Sequence, residues 1–236
     1  MLTDQKTSAI SIIIPAINEE ANIAAAIKAA AQGPVAEIIV VDGGSTDQTI
    51  TNAKRAGAMV LSAPPGRANQ MNTGARAATG DILLFLHADT ILPLGFGPQV
   101  RDALNNHEIM AGAFRLKIED TATGIRCIEM MANFRAKYLQ MPYGDQAIFI
   151  RTEIFQRAGG FPEQPFLEDF ALIRKLRRQG KIALLEMAVR TSARRWQDLG
   201  VVRTTLINQL VIIGYFLGVS PDSLRKLYRN SLRVKS

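Results

Sequence analysis

Polar clusters dominated by acidic residues follow three apolar segments in the first half of the chain. Glu19 follows the first segment, Asp42 ends the second, and His87 and Asp89 come directly after the third. Carboxylates can bind a divalent cation or accept a hydrogen bond from a nucleobase. If the segments are strands of one parallel sheet, their carboxyl ends converge on one crevice, the usual ligand site of such sheets. The alternative interpretation is three separate turns or helix caps.

Two further groups of candidates lie in the second half of the chain. Glu168 and Asp169 are adjacent carboxylates that follow a loop with two prolines. A carboxylate in such a place can act as a general base, although acids also favour a helix N-terminus for electrostatic reasons alone. Gly144, Asp145 and Gln146 precede another apolar segment, which is consistent with a ligand-binding loop or with an ordinary turn.

Alternating strands and helices must position the first set of clusters. We expect Asn18 to cap the first helix, and the stretch Ser45 to Gln48 matches a capping box for the second. The predicted strands are Ile10–Pro15, Glu37–Val41, Ala58–Leu61 and Asp81–Leu86, and the predicted helices include Ala21–Ala31 and Asn69–Ala78. Repeated strand–helix–strand units predict an α/β fold with a parallel sheet and right-handed crossovers.

The second half is less regular, although it still mixes both element types. Its predicted strands are Ala111–Ile118, Ala147–Ile150 and Ile182–Leu185, and its predicted helices are Gly124–Tyr138 and Phe170–Gln179. We predict one domain over residues 1–200 and an amphipathic, apolar and basic helical tail over residues 201–236.

Four segments together resemble the family-2 glycosyltransferases. They read ISIIIPAINEE, IIVVDGGSTDQT, GRANQMNTG and GDILLFLHADT, in the family's order and spacing, and the resemblance extends over about residues 10 to 195. It implies the GT-A fold, a Rossmann-like, mainly parallel sheet flanked by helices. It also implies inverting transfer of a sugar from a nucleotide diphosphate sugar, UDP-sugars being favoured, to an acceptor hydroxyl. The HAD, GDQ and ED motifs resemble a small bacterial subgroup.

The resemblance assigns the donor nucleotide to five residues. Asp42 would accept a hydrogen bond from the base, and Arg67 would reach the phosphates. The base and ribose would be surrounded by Pro15, Asn18 and Glu19. A guanidinium suits phosphate because it pairs with two oxygens at once. Helix capping by Glu19 and an exposed loop position for Arg67 remain alternatives.

The resemblance also implies a divalent cation, Mn²⁺ or Mg²⁺. Asp89 matches the last acid of the family's DxD motif, and such an ion would neutralise charge on the leaving diphosphate. His87 stands where the motif has its first acid. An imidazole suits manganese better than magnesium, so His87 is either a ligand or a packed histidine.

Catalytic and acceptor-side positions follow from the same resemblance. Asp169 matches the catalytic base, with Glu168 beside it.

The acceptor side would include Gly144, Asp145 and Gln146. The sequence Arg194-Arg195-Trp196 resembles the end of the QxxRW motif of processive synthases, and Arg195 and Trp196 would lie on the acceptor side. The motif's glutamine is replaced by Ser192, so processive synthesis is not supported. Packing alone is an alternative role for Trp196. The acceptor itself, whether a glycan, a lipid or a small molecule, is unidentified.

Charge is unevenly distributed along the chain. The net charge is +7, and residues 174–236 hold fourteen Lys/Arg against three Asp/Glu. The apolar stretch Val201–Val219 is interrupted by polar residues, so we predict a helix on an anionic membrane surface, with a packed helix or a homodimer interface as alternatives. Nucleic acid is disfavoured because interleaved aromatic residues are lacking. The single cysteine, Cys127, fits a cytoplasmic protein, and no secretory signal is expected.

Two other functions are alternatives to sugar transfer. A sugar-1-phosphate nucleotidyltransferase would need a glycine-rich basic loop after the first strand, where this chain is acidic. The other rival is a catalytically weak or inactive nucleotide-sugar-binding protein associated with a membrane. The histidine at position 87 favours it, and the intact pair of Glu168 and Asp169 opposes it.

Overall fold

A computed structural model describes residues 8–120, 122–194, 196 and 200–232, except for the side chains of residues 201, 202 and 229–232. Within this part, eight strands form one sheet in the order β3-β2-β1-β4-β7-β6-β8-β5. The strands are β1 Ile10–Ala16, β2 Glu37–Asp42, β3 Met59–Ser62, β4 Ile82–Phe85, β5 Thr90–Ile91, β6 Ile109–Ile118, β7 Phe149–Arg151 and β8 Lys181–Thr191.

Helices cover both faces of the sheet, so the predicted α/β fold is confirmed. They are α1 Ile23–Ala30, α2 Thr49–Arg55, α3 Arg67–Ala77, α4 Phe96–Asn105, α5 Thr123–Tyr138, α6 Thr152–Arg157, α7 Glu168–Arg177, α8 Val201–Phe216 and α9 Pro221–Leu232, and a 3₁₀ turn covers Gly144–Gln146.

The first half of the sheet is parallel, as the alternating pattern predicts. Strand β1 pairs in parallel with β2 and β4, and β2 pairs in parallel with β3. Helix α3 packs closely on this half at Gly74, where a Cβ would lie 2.5 Å from the side chain of Ile13. Only glycine allows this approach without displacing Ile13.

The second half of the sheet changes direction. Strand β7 runs antiparallel to β4 and β6, while β8 runs parallel to β6. The short strand β5 pairs antiparallel with β8, which places Thr90 opposite Thr191, and their hydroxyl groups are hydrogen bonded at 3.1 Å. This pairing brings the segment after β4 next to the segment after β8, two regions separated by about a hundred residues.

The predicted helix caps at Asn18 and Ser45 are wrong. Helix α1 begins at Ile23, and Asn18 adopts a left-handed conformation with φ of 53°. Its Oδ1 accepts a hydrogen bond from the backbone N–H of Thr46, and its own N–H donates to Ser45 Oγ. The loops after β1 and β2 therefore satisfy each other's polar groups, which removes the need for local caps.

The end of the described chain forms two helices that pack on the rest. Helix α8 contacts α5 and α9, and the Tyr215 ring lies 5.0 Å from that of Phe170 in α7. Whether residues 201–236 form a unit separate from 1–200 stays a prediction. Across the described residues, no helix is long and apolar enough to cross a membrane.

Candidate active site

A cavity of about 850 Å³ opens where the carboxyl ends of β1, β4 and β8 meet. Glu19 follows β1, His87 and Asp89 follow β4, and Ser192 follows β8, and all four line the cavity. The start of α7 contributes Asp169. The structure therefore brings together clusters that lie far apart in the sequence, as the parallel-sheet interpretation predicts for the first and third of them.

Asp169 is fixed at the centre of this cavity by two backbone donors. Its Oδ2 accepts a hydrogen bond of 2.6 Å from the N–H of Gly144, and its Oδ1 accepts one of 2.7 Å from the N–H of Phe170. A Cβ on Gly144 would lie 3.0 Å from Asp169 Oδ2 and 3.1 Å from His87 Nε2. The carboxylate and the imidazole thus lie close to one glycine. A side chain at position 144 would crowd both groups, so their arrangement depends on this glycine.

Glu168 forms an ion pair with Arg67 next to this carboxylate. Arg67 Nη1 lies 3.5 Å from Glu168 Oε1, and the Glu168 side chain is 5% exposed whereas that of Arg67 is 42% exposed. Burial, together with the negative charge of Asp169, raises the pKa of Glu168 against the opposing effect of Arg67. Burial lowers the pKa of Arg67, but the attraction of Glu168 and Asp169 outweighs it and raises the value. Arg67 therefore stays charged in the cavity wall.

One guanidinium connects the acidic residues that follow β1 and β4. Arg194 Nη2 lies 3.0 Å from Glu19 Oε2 and 3.4 Å from Asp89 Oδ2. Burial lowers the pKa of Arg194, and the two carboxylates outweigh this effect and raise it. The Arg194 side chain is about half exposed, so each ion pair contributes at most about 1 kcal/mol. Because Glu19 and Asp89 share the guanidinium of Arg194, a divalent ion can take its place between the two carboxylates.

The residues present supply only part of the coordination of a divalent cation, and water or a bound ligand must supply the rest. Among the residues that the structure describes, no group of three or more histidine, cysteine or acidic side chains is arranged to hold a metal. Glu19 and Asp89 supply two of the hard oxygen ligands that such an ion prefers, and substrate phosphates commonly supply others.

Asp42 does not line the cavity, contrary to its expected contact with a nucleobase. It is buried, and its Oδ2 accepts hydrogen bonds from the N–H groups of Gly44 (2.8 Å) and Ser45 (3.0 Å), while its Oδ1 accepts one from the Ser45 hydroxyl. These bonds shape the loop after β2. Asn18 bonds to that loop in turn, and the residue that follows it, Glu19, lines the cavity.

Gln146 does not line the cavity either, contrary to its expected place on the acceptor side. It is fully buried, and its Nε2 donates a hydrogen bond of 3.1 Å to the carbonyl oxygen of Phe114 in β6. Its neighbours Gly144 and Asp145 do line the cavity. Pro15 lies below, beside Arg67, around a small adjoining void.

The segment after β8 is described in part. Trp196 lines the cavity and is mostly buried, and its Nε1 has no hydrogen-bond acceptor among the described residues. Arg195 lies outside the described residues. Arg194, the first residue of the same motif, contacts the carboxylates of Glu19 and Asp89, a role that the resemblance does not assign to it.

The last two helices form a wall of the cavity that the sequence motifs do not indicate. Asn208, Val211 and Ile212 of α8 and Tyr228 of α9 line the cavity. The spacing of the three α8 residues, i, i+3 and i+4, places them on one helix face. This spacing can be recognised in the sequence. It does not indicate that the helix face covers a site formed at the strand ends of the sheet.

A mixed sheet whose strand ends gather carboxylates around an open cavity defines a ligand-binding α/β domain. The chain belongs to glycosyl transferase family 2, since the model of that family matches residues 11–161, more than half of the sequence. The family resemblance inferred from the four motifs is thereby confirmed.

Two curated relatives show how far the similarity extends. A glucosyl-3-phosphoglycerate synthase of Mycolicibacterium smegmatis is 34% identical over 144 residues, which cover 52% of this chain and 48% of that protein. An uncharacterized glycosyltransferase of Mycobacterium bovis is 37% identical over 93 residues, which cover 39% of this chain and 42% of that protein. The chain thus spans about half the length of the curated relatives it matches.

Solved structures share the fold. Glucosyl-3-phosphoglycerate synthase from Mycobacterium tuberculosis, in complex with Mn²⁺, uridine diphosphate and glucosyl-3-phosphoglycerate, is 25% identical with a TM-score of 0.63, over 86% of this chain and 79% of that chain. TarS from S. aureus is 19% identical with a TM-score of 0.63, over 89% of this chain and 43% of that chain.

Proposed function

We propose that this protein transfers a hexosyl group from a UDP-sugar to an acceptor hydroxyl, with inversion at the anomeric carbon. The observation that carries the proposal is the placement of Asp169. Its carboxylate is held in the cavity by the Gly144 N–H at 2.6 Å, in a cavity that Glu19 and Asp89 also line. A general base and a cation-binding acidic pair around one space are what such a displacement requires.

Each residue has a defined task in this proposal. Asp169 accepts the acceptor's proton as the hydroxyl oxygen attacks, and Glu168 holds Arg67 toward the donor phosphates. Asp89, with Glu19 or His87, would hold the divalent ion. When bound, Mn²⁺ or Mg²⁺ supplies positive charge against the leaving diphosphate. Relatives of known structure bind Mn²⁺ and uridine diphosphate, which supports this choice of donor and ion.

The rival functions receive less support. An inactive nucleotide-sugar-binding protein would have no need of a carboxylate anchored as Asp169 is. A sugar-1-phosphate nucleotidyltransferase is disfavoured because the loop after β1 is acidic and Glu19 is held by Arg194.

Donor binding provides the direct test. Uridine diphosphate with Mn²⁺ should raise the melting temperature by mass action. Asp42→Ala should weaken that binding by roughly tenfold, a loss of about 1.4 kcal/mol, because the loop after β2 loses its hydrogen-bond acceptor and no longer supports Asn18. Calorimetric titration measures the affinity.

Asp81→Ala is the matched control for this change. Asp81 also accepts a backbone hydrogen bond in a loop, from the N–H of Ala9, but it precedes β4 at the opposite end of that strand. Equal uridine diphosphate affinity in Asp42→Ala and the wild type would refute the role of Asp42. A complete absence of nucleotide binding by the wild type would refute the proposed donor.

We also propose that the protein associates with the inner face of the cell membrane through an apolar face on α5 and α8. This face consists of large side chains that are each more than half exposed: Met130, Phe134, Tyr138, Leu206, Leu210, Ile213 and Leu217. Exposed apolar patches of this kind mark interaction surfaces. Arg203, Arg225 and Lys226 are exposed on α8 and α9, and basic residues beside an apolar face suit anionic lipid.

Vesicle binding tests this association. Replacing Leu206 and Leu210 together by Gln should reduce binding to phosphatidylglycerol vesicles by about tenfold or more, because both side chains lose their transfer into the interface. Wild-type binding should weaken as the salt concentration rises. Deleting α8 is a poorer test, since Tyr215 packs on Phe170. Unchanged sedimentation of the double variant with vesicles, or a concentration-dependent dimer that it abolishes, would favour a protein interface.

A further inference from the structure

The cavity wall opposite the acidic pair differs in character from the rest of the site. Helices α8 and α9 and the loop before α7 build it together, and the rings of Phe166 and Tyr228 lie 4.8 Å apart across that junction. Val211 and Ile212 contribute apolar side chains, and Asn208 contributes an amide. None of the residues assigned above to donor binding belongs to this wall.

Charge separates the two sides of the cavity. Among the lining residues that the structure describes, the cations are Arg67 and Arg194. Arg67 is assigned above to the donor phosphates, and Arg194 lies at the acidic pair of Glu19 and Asp89. No described lining residue of α8 or α9 carries a positive charge. Asp145 and Asp169 add negative charge toward this side. A phosphorylated carboxylic acid needs cationic, preferably bidentate, partners, and the described residues of this wall offer it none.

The second half of helix α8, residues 210–216, is apolar on both of its faces. Ile212 is half-buried at the cavity with Val211 buried beside it, while Leu210 and Ile213 belong to the exposed apolar face. A helix that is apolar all round is ordinarily buried in protein or lipid. Here a single helix lies between an apolar cavity wall and an apolar outer surface. A molecule with an apolar chain can therefore pack against either side of it.

From this arrangement we propose that the acceptor is an uncharged alcohol carried on an apolar chain, and that the chain packs on Ile212 and on the rings of Phe166 and Tyr228. The inference rests on the proposed sugar transfer and specifies its acceptor. In the reaction the acceptor oxygen forms a bond to the anomeric carbon, the bond from that carbon to the diphosphate oxygen breaks, and the hydroxyl proton passes to Asp169. Phosphoglyceric acid, which is bound in a related solved structure, would meet no cation among the described residues of this wall.

A chain-length series tests the proposal without knowledge of the natural acceptor. Methyl, hexyl and octyl β-glucosides, below micellar concentrations, are added to the protein with Mn²⁺ and UDP-glucose, and donor consumption and product mass are followed. An amphiphile on the wall changes donor consumption whether it is glycosylated or only excludes water. The concentration for half-maximal effect should fall at least about tenfold from methyl to octyl, because each buried methylene adds to binding. 3-Phosphoglycerate should have no effect.

Matched variants on α8 locate the effect. Ile212→Gln should reduce the chain-length dependence to less than about threefold while uridine diphosphate affinity stays unchanged. Ile213→Gln, one residue along but on the exposed face, should keep the wild-type dependence in vesicle-free solution. Folding of both variants is checked by their melting temperatures.

The results distinguish failure of this inference from failure of the proposed function. Glycosylated phosphoglycerate as product, or an effect independent of chain length, overturns the inference while donor binding and consumption leave sugar transfer standing. Absence of both uridine diphosphate binding and donor consumption overturns the proposed function and the inference with it.

Discussion

Asp169→Asn should remove most sugar transfer while donor binding stays nearly intact. Asparagine preserves the shape of the side chain, and its amide oxygen can still accept the hydrogen bond from the Gly144 N–H. It cannot accept the proton of an acceptor hydroxyl. Loss of a general base costs about 10²–10⁴-fold in rate, so turnover should fall by that factor. Initial rates at saturating donor measure it, with slow donor hydrolysis as a second readout.

Glu168→Gln is the informative companion to this change. Glu168 is buried and contacts Arg67, so this variant should alter donor affinity more than turnover, the reverse of Asp169→Asn. A folded Asp169→Asn protein with wild-type turnover would exclude Asp169 as the base. Asp145, which lines the same cavity, would then be the next candidate.

The strand ends were predictable because period and composition determine them locally. The run that contains Ile12, Ile13 and Ile14 is fully buried in β1, and a β-branched run of this kind is typical of a strand covered on both faces. Parallel pairing then brings Glu19 and Asp89 to one edge. No long-range information was needed for this part of the site.

The partner of these two acids could not be predicted in the same way. Arg194 is 175 positions from Glu19 in sequence, and the contact exists because β5 pairs antiparallel with β8 at Thr90 and Thr191. A two-residue strand leaves almost no sequence signal. The doublet of arginines was recognised, but the choice between Arg194 and its neighbour depended on this pairing.

The loops after β1 and β2 show a second limit. Asn18 and Ser45 are residue types that favour helix N-caps, yet both bond across the gap between the loops. Short polar side chains satisfy whichever backbone group is near. The nearest groups here belong to another loop, so local propensity identified the right residue types and the wrong partners.

Asp89→Ala should abolish stimulation by divalent ions, whereas His87→Ala should only reduce it. A bound metal supplies several kcal/mol of transition-state stabilisation, so loss of its carboxylate ligand should lower turnover at least about a hundredfold. The imidazole of His87 is a weaker ligand for a hard cation than a carboxylate. Rates with Mn²⁺, with Mg²⁺ and after chelation measure the effect, and activity indifferent to chelators would exclude a metal role for both residues.

In the absence of nucleotide, Arg194→Gln should strengthen the binding of a divalent ion, the opposite of the effect expected for Asp89→Ala. The guanidinium now lies between Glu19 and Asp89, where it competes with a divalent ion for the same oxygens. Its removal should strengthen Mn²⁺ binding to the free protein, and the change should disappear in the Asp89→Ala background because the two residues act at one site. Titration with Mn²⁺ alone measures both proteins. Weaker Mn²⁺ binding by Arg194→Gln would show that the acidic pair is not the ion site, since an ion held there must gain when its competitor is removed.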